Sequence, residues 1–470
     1  MEKENVAGLE MVKPKMRLNL DPGFSPVVLY NHAFLNAVRE SGEGEPLGIA
    51  IERNNGLTSI FKTMVFAESS EMAEANLYYV ERLVKTLLWM WGGWRIVIGG
   101  AEYIGQHIRN EYSIKGKRSF DAEFMSGVYE KPFTVEVVDF DDLPQPKEET
   151  VSLGGHLDGC RIGFDAGASD MKVAAVIDGK VVFSKEIVWD PKHQSDPQYH
   201  FSKIMSALRM AASHMPRVDA IGVSAAGIYI KNRVRVASLF RGVPPDLFKK
   251  KVQNLFLDIK REWGGIPLEV VNDGDVAALA GAMALNDTNV LGIALGSSEA
   301  GGYIDSEGYI TGWLNELAFV PVDLNPQAPI DEWSGDRGCG AQYFSQEAAI
   351  RLAKTAGISL DSNLTPAEKL KHIQKLLAEG DEKVREIFET IGYYMGYGIA
   401  HYADFYDIKH VLILGRVTSG EGGNIILEKV NEVLKVEFPD LADQIKLHLP
   451  DESIRRVGQA IAAASLPALS

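Results

Sequence analysis

The sequence predicts a mixed α/β protein built of more than one lobe. Three observations predict it. Short apolar strands alternate with longer helical stretches along most of the chain. Residues 143–155, LPQPKEETVSLGG, break that alternation with prolines, charges and glycines and no apolar periodicity. The length of 470 residues exceeds one average domain.

Ahead of the break, residues 46–66 read as two strands joined at Asn54, Asn55 and Gly56, residues that tolerate the positive φ of a tight hairpin. A helix over 71–91, a strand over 94–98, a helix after Gly100 and a strand over 133–140 complete an amino-terminal α/β unit. Beyond the break, 161–177 and 180–187 read as antiparallel strands turning at Asp178 and Gly179. Helices over 198–214 and 245–263 then alternate with strands over 220–224 and 268–271, the pattern of a sheet with crossover helices. A second series has strands over 290–295, 301–304 and 410–414 and a long helical region over 342–406, so two similar lobes are expected.

Composition excludes several classes of function. A formal charge of -16, with no dense Lys/Arg run to offset it, disfavours nucleic acid as a partner. Two cysteines, Cys160 and Cys339, are too few for a disulfide framework or a four-thiolate metal site, and suit a reducing compartment. The first residues lack the apolar core of a signal peptide, and no stretch reaches the roughly 20 apolar residues of a membrane span. The most apolar helix, near 77–94, is interrupted by Glu81, Arg82 and Lys85, so a buried helix is expected there, with no membrane partner and a cytoplasmic location.

Four segments carry chemistry. In GFDAGASDMK, residues 163–172, small residues let backbone N–H groups approach phosphate, and Asp165 can hold Mg²⁺ through water; an ordinary glycine-containing hairpin would read the same way. In VVNDGDVAAL, residues 270–279, a carboxylate stands at a strand end before a helix, placed to accept a proton from a hydroxyl, and helix capping is the plain alternative. GIALGSSEAGG, residues 292–302, repeats the design of the first segment. VLILGRVTSG, residues 411–420, is an apolar strand with a glycine turn against which an adenine could lie flat.

The order of these segments resembles the actin, hexokinase and Hsp70-like superfamily, and within it the ROK family of glucokinases, other sugar kinases and sugar-responsive repressors, over about residues 158–470. The resemblance implies a two-lobed actin-like ATPase of ribonuclease H-like fold with an additional amino-terminal α/β domain at 1–150. Its first lobe would span 158–275, completed by a carboxyl-terminal helix at 453–470, and its second 276–452. The implied activity is ATP-dependent phosphorylation of a sugar hydroxyl, with ATP and Mg²⁺ as cofactors. Asp165, Gly167, Ser169 and Lys172, then Gly296, Ser297 and Ser298, would bind phosphate, with Gly415 on the adenosine side and Asp165 carrying the Mg²⁺. Asn272 would orient the sugar and Asp273 would be the general base, while Gly227 maps to the turn at the sugar cleft.

The family's Gly-Glu-x-Gly-His is here Asn315-Glu316-Leu317-Ala318-Phe319, so Glu316 keeps a sugar-binding role and the histidine is lost. That histidine and three cysteines would ligate a structural zinc. Only Cys339 remains, so no zinc is expected. A further sugar-binding Glu falls on Ala341, with Gln342 beside it as a substitute. Glu299 in the second turn would repel ATP unless it points away or helps bind metal; a surface carboxylate on the rim is the plain alternative. A non-catalytic sugar sensor acting through protein contacts is the competing function. The amino-terminal unit, which lacks the opening of a winged helix, is open to reading as a lid on the cleft or a homodimer interface.

Overall fold

The computed structural model describes residues 5–6, 8–10, 12–148, 153–167, 170–450 and 452–469. Three four- or five-stranded sheets organise the chain. The amino-terminal sheet has the order Thr58–Phe66, Gly44–Glu52, Arg95–Gly99, Thr134–Val138, antiparallel except for its last pair. Its hairpin turns at Asn54–Gly56, where Asn55 takes φ 65°. The helix Ala73–Trp91 is buried at every residue from Tyr79 to Trp91, its charged Glu81, Arg82 and Lys85 included.

The first-lobe sheet runs Leu268–Asn272, Ala220–Ala225, Cys160–Ala166, Asp170–Ile177, Lys180–Val188. Its first three strands are parallel and the last two antiparallel, the ribonuclease H-like arrangement. The second-lobe sheet repeats the pattern with Glu299–Ile304 antiparallel to Val290–Leu295, followed by parallel His410–Leu414 and Lys446–His448. The two lobes thus share one design.

Three stretches differ from the sequence expectation. Residues 245–263 are not one helix. A single turn, a wider π-type turn and the helix Leu255–Glu262 replace it, because the Gln253 carbonyl accepts the Val234 N–H at 3.0 Å. The region 342–406 divides into Gln346–Thr355, Pro366–Ala378 and Glu382–Ala403, restarted by the caps of Thr365, boxed with Glu368, and Asp381. The hairpin of Ile228–Ile230 with Arg233–Val236 is an addition to the expected elements. Lys231 and Asn232 turn it with φ of 52° and 62°, without the glycine that usually announces such a turn.

Burial ties the parts together unequally. One continuous core joins the amino-terminal unit to the second lobe, with Phe24 packed against Tyr343 and Tyr394, while the first lobe has a core of its own. Where the lobes meet, the helix Asp273–Leu285 and the carboxyl-terminal helix Glu452–Ala464 share a third, smaller core. The latter helix lies on the first-lobe sheet so closely that a Cβ at Gly222 would collide with the Ala463 carbonyl oxygen, and one at Gly163 with that of Ala460. Among the described residues, no helix is long and apolar enough to cross a membrane.

Gly222→Ala is therefore expected to push the terminal helix off its sheet and to destabilise the protein by about 1–3 kcal/mol, read as a lower denaturation midpoint. An unchanged midpoint would contradict this packing.

Candidate active site

The parallel strands of both lobes end at one cleft of 330 Å³, lined by Asp165, Gly167, Lys172, Asp273, Gly415, Arg416 and Ser419. Open α/β sheets bind ligands beyond such strand ends. Asp165 lies one residue before the end of Cys160–Ala166 and faces Lys172 across the hairpin register. Its carboxylate accepts from the Ser224 hydroxyl at 2.8 Å and stands 3.7 Å from Lys172 Nζ, which is also 3.6 Å from Asp170. Burial holds the Asp165 pKa above the ordinary carboxylate value, against the pull of Ser224 and Lys172. Gly415, at φ 99°, follows the strand His410–Leu414. A side chain there would strike the Leu295 backbone, so the turn admits only glycine and brings Arg416 to the cleft.

Asp273 opens the helix Asp273–Leu285. Asn272 caps that helix by accepting the Gly274 N–H at 2.7 Å, and its amide donates to the Gly227 carbonyl at 2.8 Å. Both ends of the Asn272 side chain are thereby committed to backbone. Burial, and then the charge of Asp165, raise the Asp273 pKa to about 6, opposed by the backbone N–H groups at the helix start.

Glu316, carried by the second lobe, lines neither this cleft nor the cavity beside it, but it is close enough to Asp273 to feel its charge. Burial and the charge of Asp273 raise its pKa to about 7, and among the described residues its carboxylate has no hydrogen bond or ion pair. Its neighbour Asn315, at φ 52°, donates to buried Asp275 at 3.0 Å and accepts from Tyr406 at 3.0 Å. A second cavity, of 390 Å³, adjoins this network and is lined in part by Gly227, Asn272, Asp275, Trp313 and Leu314.

The family model for "ROK family" matches residues 161–453. The chain belongs to the ROK family. Solved structures similar to this ROK chain include a glucokinase from Streptomyces griseus in complex with glucose and AMPPNP, at 22% identity and TM-score 0.48, covering 65% of this chain and 99% of that one. A hexokinase from Thermus thermophilus is 18% identical with TM-score 0.49, covering 65% and 97%. A ROK transcriptional regulator, a homologue of the E. coli MLC protein, is also 18% identical with TM-score 0.49, covering 66% and 79%. No curated protein matches the sequence.

The structure gathers Asp165, Gly167, Lys172, Asp273 and Gly415 at the cleft, and Asn272 and Gly227 beside it. Ser169 lies outside the described residues. Gly296, Ser297 and Ser298 do not line either cavity. They form the turn between Val290–Leu295 and Glu299–Ile304, with both serines exposed, while Ala294 and Ala300 of those strands face the cleft. Gln342 lines neither cavity, and its carbonyl accepts from Arg351 at 3.3 Å.

Glu299 is not a rim carboxylate. It is 3% exposed, belongs to a strand, and points into the second lobe, where Tyr402 donates to Oε1 at 2.9 Å and Oε2 is buried unpaired. Phe319, in the histidine's place, stacks on Trp89 of the amino-terminal unit at 4.1 Å. The residues that sequence reasoning missed are Ser224, Asp275, Arg416 and Ser419. Arg416 and Ser419 lie within the glycine-turn segment and Asp275 within the 270–279 segment, so only Ser224, at the end of an apolar strand, had no distinguishing signal.

Burial raises the Glu299 pKa to about 8, so it is neutral in the fold at pH 7 and ionised in the unfolded chain. Its contribution is complete at pH values below the unfolded pKa and is lost as pH rises toward about 8, with a slope of at most about 1.4 kcal/mol per pH unit. Glu299→Gln should flatten the fall in unfolding free energy between pH 5 and 8. An unchanged pH slope would contradict the buried neutral carboxyl.

Proposed function

We propose that the chain transfers the γ-phosphoryl group of ATP to the hydroxyl of a sugar or sugar derivative. The observation that carries this reading is the convergence on one cleft of Asp165, Asp273 and Gly415, from three separated parts of the chain, with Lys172 and Arg416 as nearby cations. Membership of the ROK family, and the sugar and ATP analogue held by the Streptomyces griseus glucokinase, support it.

In this reading Asp273 takes the proton of the attacking hydroxyl as the oxygen–phosphorus bond forms and the bond to ADP breaks. A base with a pKa of about 6 is mostly ionised at neutral pH yet basic enough to accept a proton. Lys172 and Arg416 offset the phosphate charge, and positioning does most of the remaining work. Glu316, unpaired in the fold, accepts a hydrogen bond from a sugar hydroxyl. Asn272 acts by fixing Asp273 and the Gly227 turn.

The donor set suits Mg²⁺. Two carboxylates share the cleft and the charge of one raises the pKa of the other, which is a place for a hard cation held by one or two carboxylates and substrate phosphates. Asp165 would hold the ion, which would supply charge neutralisation on the transferring phosphoryl group.

The residues ahead of the first lobe form a sheet that shares its core with the second lobe, and the net charge is -16, so the DNA-binding role of the regulator branch is not favoured.

An ADP-release assay over hexoses, amino sugars and acylated sugars should find turnover. Asp273→Asn should lower kcat by about 100-fold or more while ATP-analogue and sugar binding persist. For the parent protein kcat should rise with pH through about 6, as Asp273 loses its proton. Sugar binding without ATP binding would support the sensor instead, and turnover indifferent to Asp273→Asn would overturn the assignment.

A further inference from the structure

The helix Ala73–Trp91 of the amino-terminal unit ends against the loop that carries Glu316. The last carbonyls of a helix have no acceptance partner within it. Here those of Trp89, Met90 and Trp91 accept the N–H groups of Glu316, Asn315 and Leu314 at 3.0, 2.8 and 3.2 Å. The Glu316 carbonyl in turn accepts the Phe319 N–H at 3.3 Å, and the Phe319 ring stacks on that of Trp89. Glu316 is therefore bonded to Trp89 through its N–H, and through its carbonyl to Phe319, whose ring packs on Trp89.

One turn earlier, the same helix buries a cluster of charges. Lys85, with a fully buried side chain, lies 3.3 Å from Asp121 and 3.2 Å from Asp336. Arg82 pairs with Glu81 at 2.6 Å and with Asp336 at 3.2 Å, and Arg118 pairs with Asp336 at 2.7 Å and with Glu81. The cations Arg82, Lys85 and Arg118 equal the anions Glu81, Asp121 and Asp336 in number, so the cluster is neutral as a whole. Asp121 also accepts from the Trp89 indole at 3.0 Å, which links the charges to the ring under Phe319. Asp336 precedes Cys339 and Gly340, and the Gly340 N–H donates to Val320 at 2.9 Å, so both loops of this half-site are fastened to one helix.

We propose that Lys85 is a positioning residue for Glu316: through Asp121, Asp336 and the Trp89 turn, the amino-terminal unit holds the sugar-binding carboxylate in place. The unit is then part of the sugar half-site rather than a removable lid. The ion cluster does the fastening. This inference rests on the sugar-kinase reading for the role of Glu316, while the fastening itself is independent of it.

The test uses the full chain carrying Lys85→Met, with Lys85→Arg as the charge-retaining rescue and Leu370→Ala as a control that destabilises the second lobe elsewhere. Amide exchange at residues 314–319 should accelerate by about tenfold or more in Lys85→Met, with the 163–172 hairpin unchanged. For any sugar found to be a substrate, its KM should rise by about tenfold or more, with kcat changed far less and the ATP-analogue Kd unchanged. Lys85→Arg should restore most of both effects. If Lys85→Met does not fold, Trp89→Phe, which keeps the ring but removes the indole donor to Asp121, should shift exchange and KM in the same direction. Unchanged exchange at 314–319, or the same change in Leu370→Ala, would overturn the proposal. If the parent protein binds no sugar at all, the kinase reading fails, and the exchange comparison still decides the fastening.

Discussion

The cleft depends on the junction at residues 272–274, where the last strand of the first lobe becomes a helix of the second. A helix start leaves N–H groups without acceptors. Asn272 satisfies one of them and uses its other end to hold the Gly227 carbonyl, so two segments of the first lobe are locked by one side chain. Asp273 is the next residue and has little choice of place. It lines the cleft between the lobes, where partial burial and the charge of Asp165 raise its pKa. The same helix packs beneath the second-lobe sheet and meets the terminal helix that lies on the first, so the junction is where both lobes are fastened.

The amino-terminal unit is attached in two unlike ways. Toward the second lobe it shares a hydrophobic core and a buried cluster of ion pairs. Buried charges are weak evidence for stability in themselves, but removing one partner costs about 3–5 kcal/mol because another is left unpaired. Toward the first lobe the polar contacts are Glu130 with Arg235 at 2.6 Å and Lys231 with Asn55 at 3.2 Å, and the apolar share is smaller, with Ile228 reaching the common core and Ile230 and Val236 packed against it. Exposed polar contacts separate at small cost, whereas separating the unit from the second lobe would expose a larger core. The amino-terminal unit thus belongs mechanically with the lobe that carries Glu316.

Much of this was legible in the sequence, because strand ends, glycine turns and caps are local signals. Strand His410–Leu414 and the hairpin at Asn54–Gly56 are read directly from their residues, and Asp165, Asp273 and Gly415 stand out as polar or glycine positions at the ends of apolar runs. The direction of Glu299 was not legible. A hairpin sequence leaves open which face of the strand meets a core until the packing of Tyr402 and Gly340 is known. The partners of the buried charges were equally hidden, since Arg82 and Asp336 are 254 residues apart. Yet a trace was present: Glu81, Arg82 and Lys85, which interrupt the apolar stretch, pair with Asp121, Asp336 and Arg118 beside the loops of Glu316 and Gly340. Charges in an otherwise apolar helix mark a buried partner, and a single sequence does not name it.

The central claim is that this cleft moves a phosphoryl group from ATP to a sugar hydroxyl. Phosphorus NMR of the protein incubated with ATP, Mg²⁺ and a sugar identified as a ligand tests it most directly. The account predicts a new phosphomonoester resonance, coupled to a sugar proton and growing in step with ADP. Formation of ADP with inorganic phosphate alone, or an unchanged ATP spectrum with both ligands bound, would contradict it.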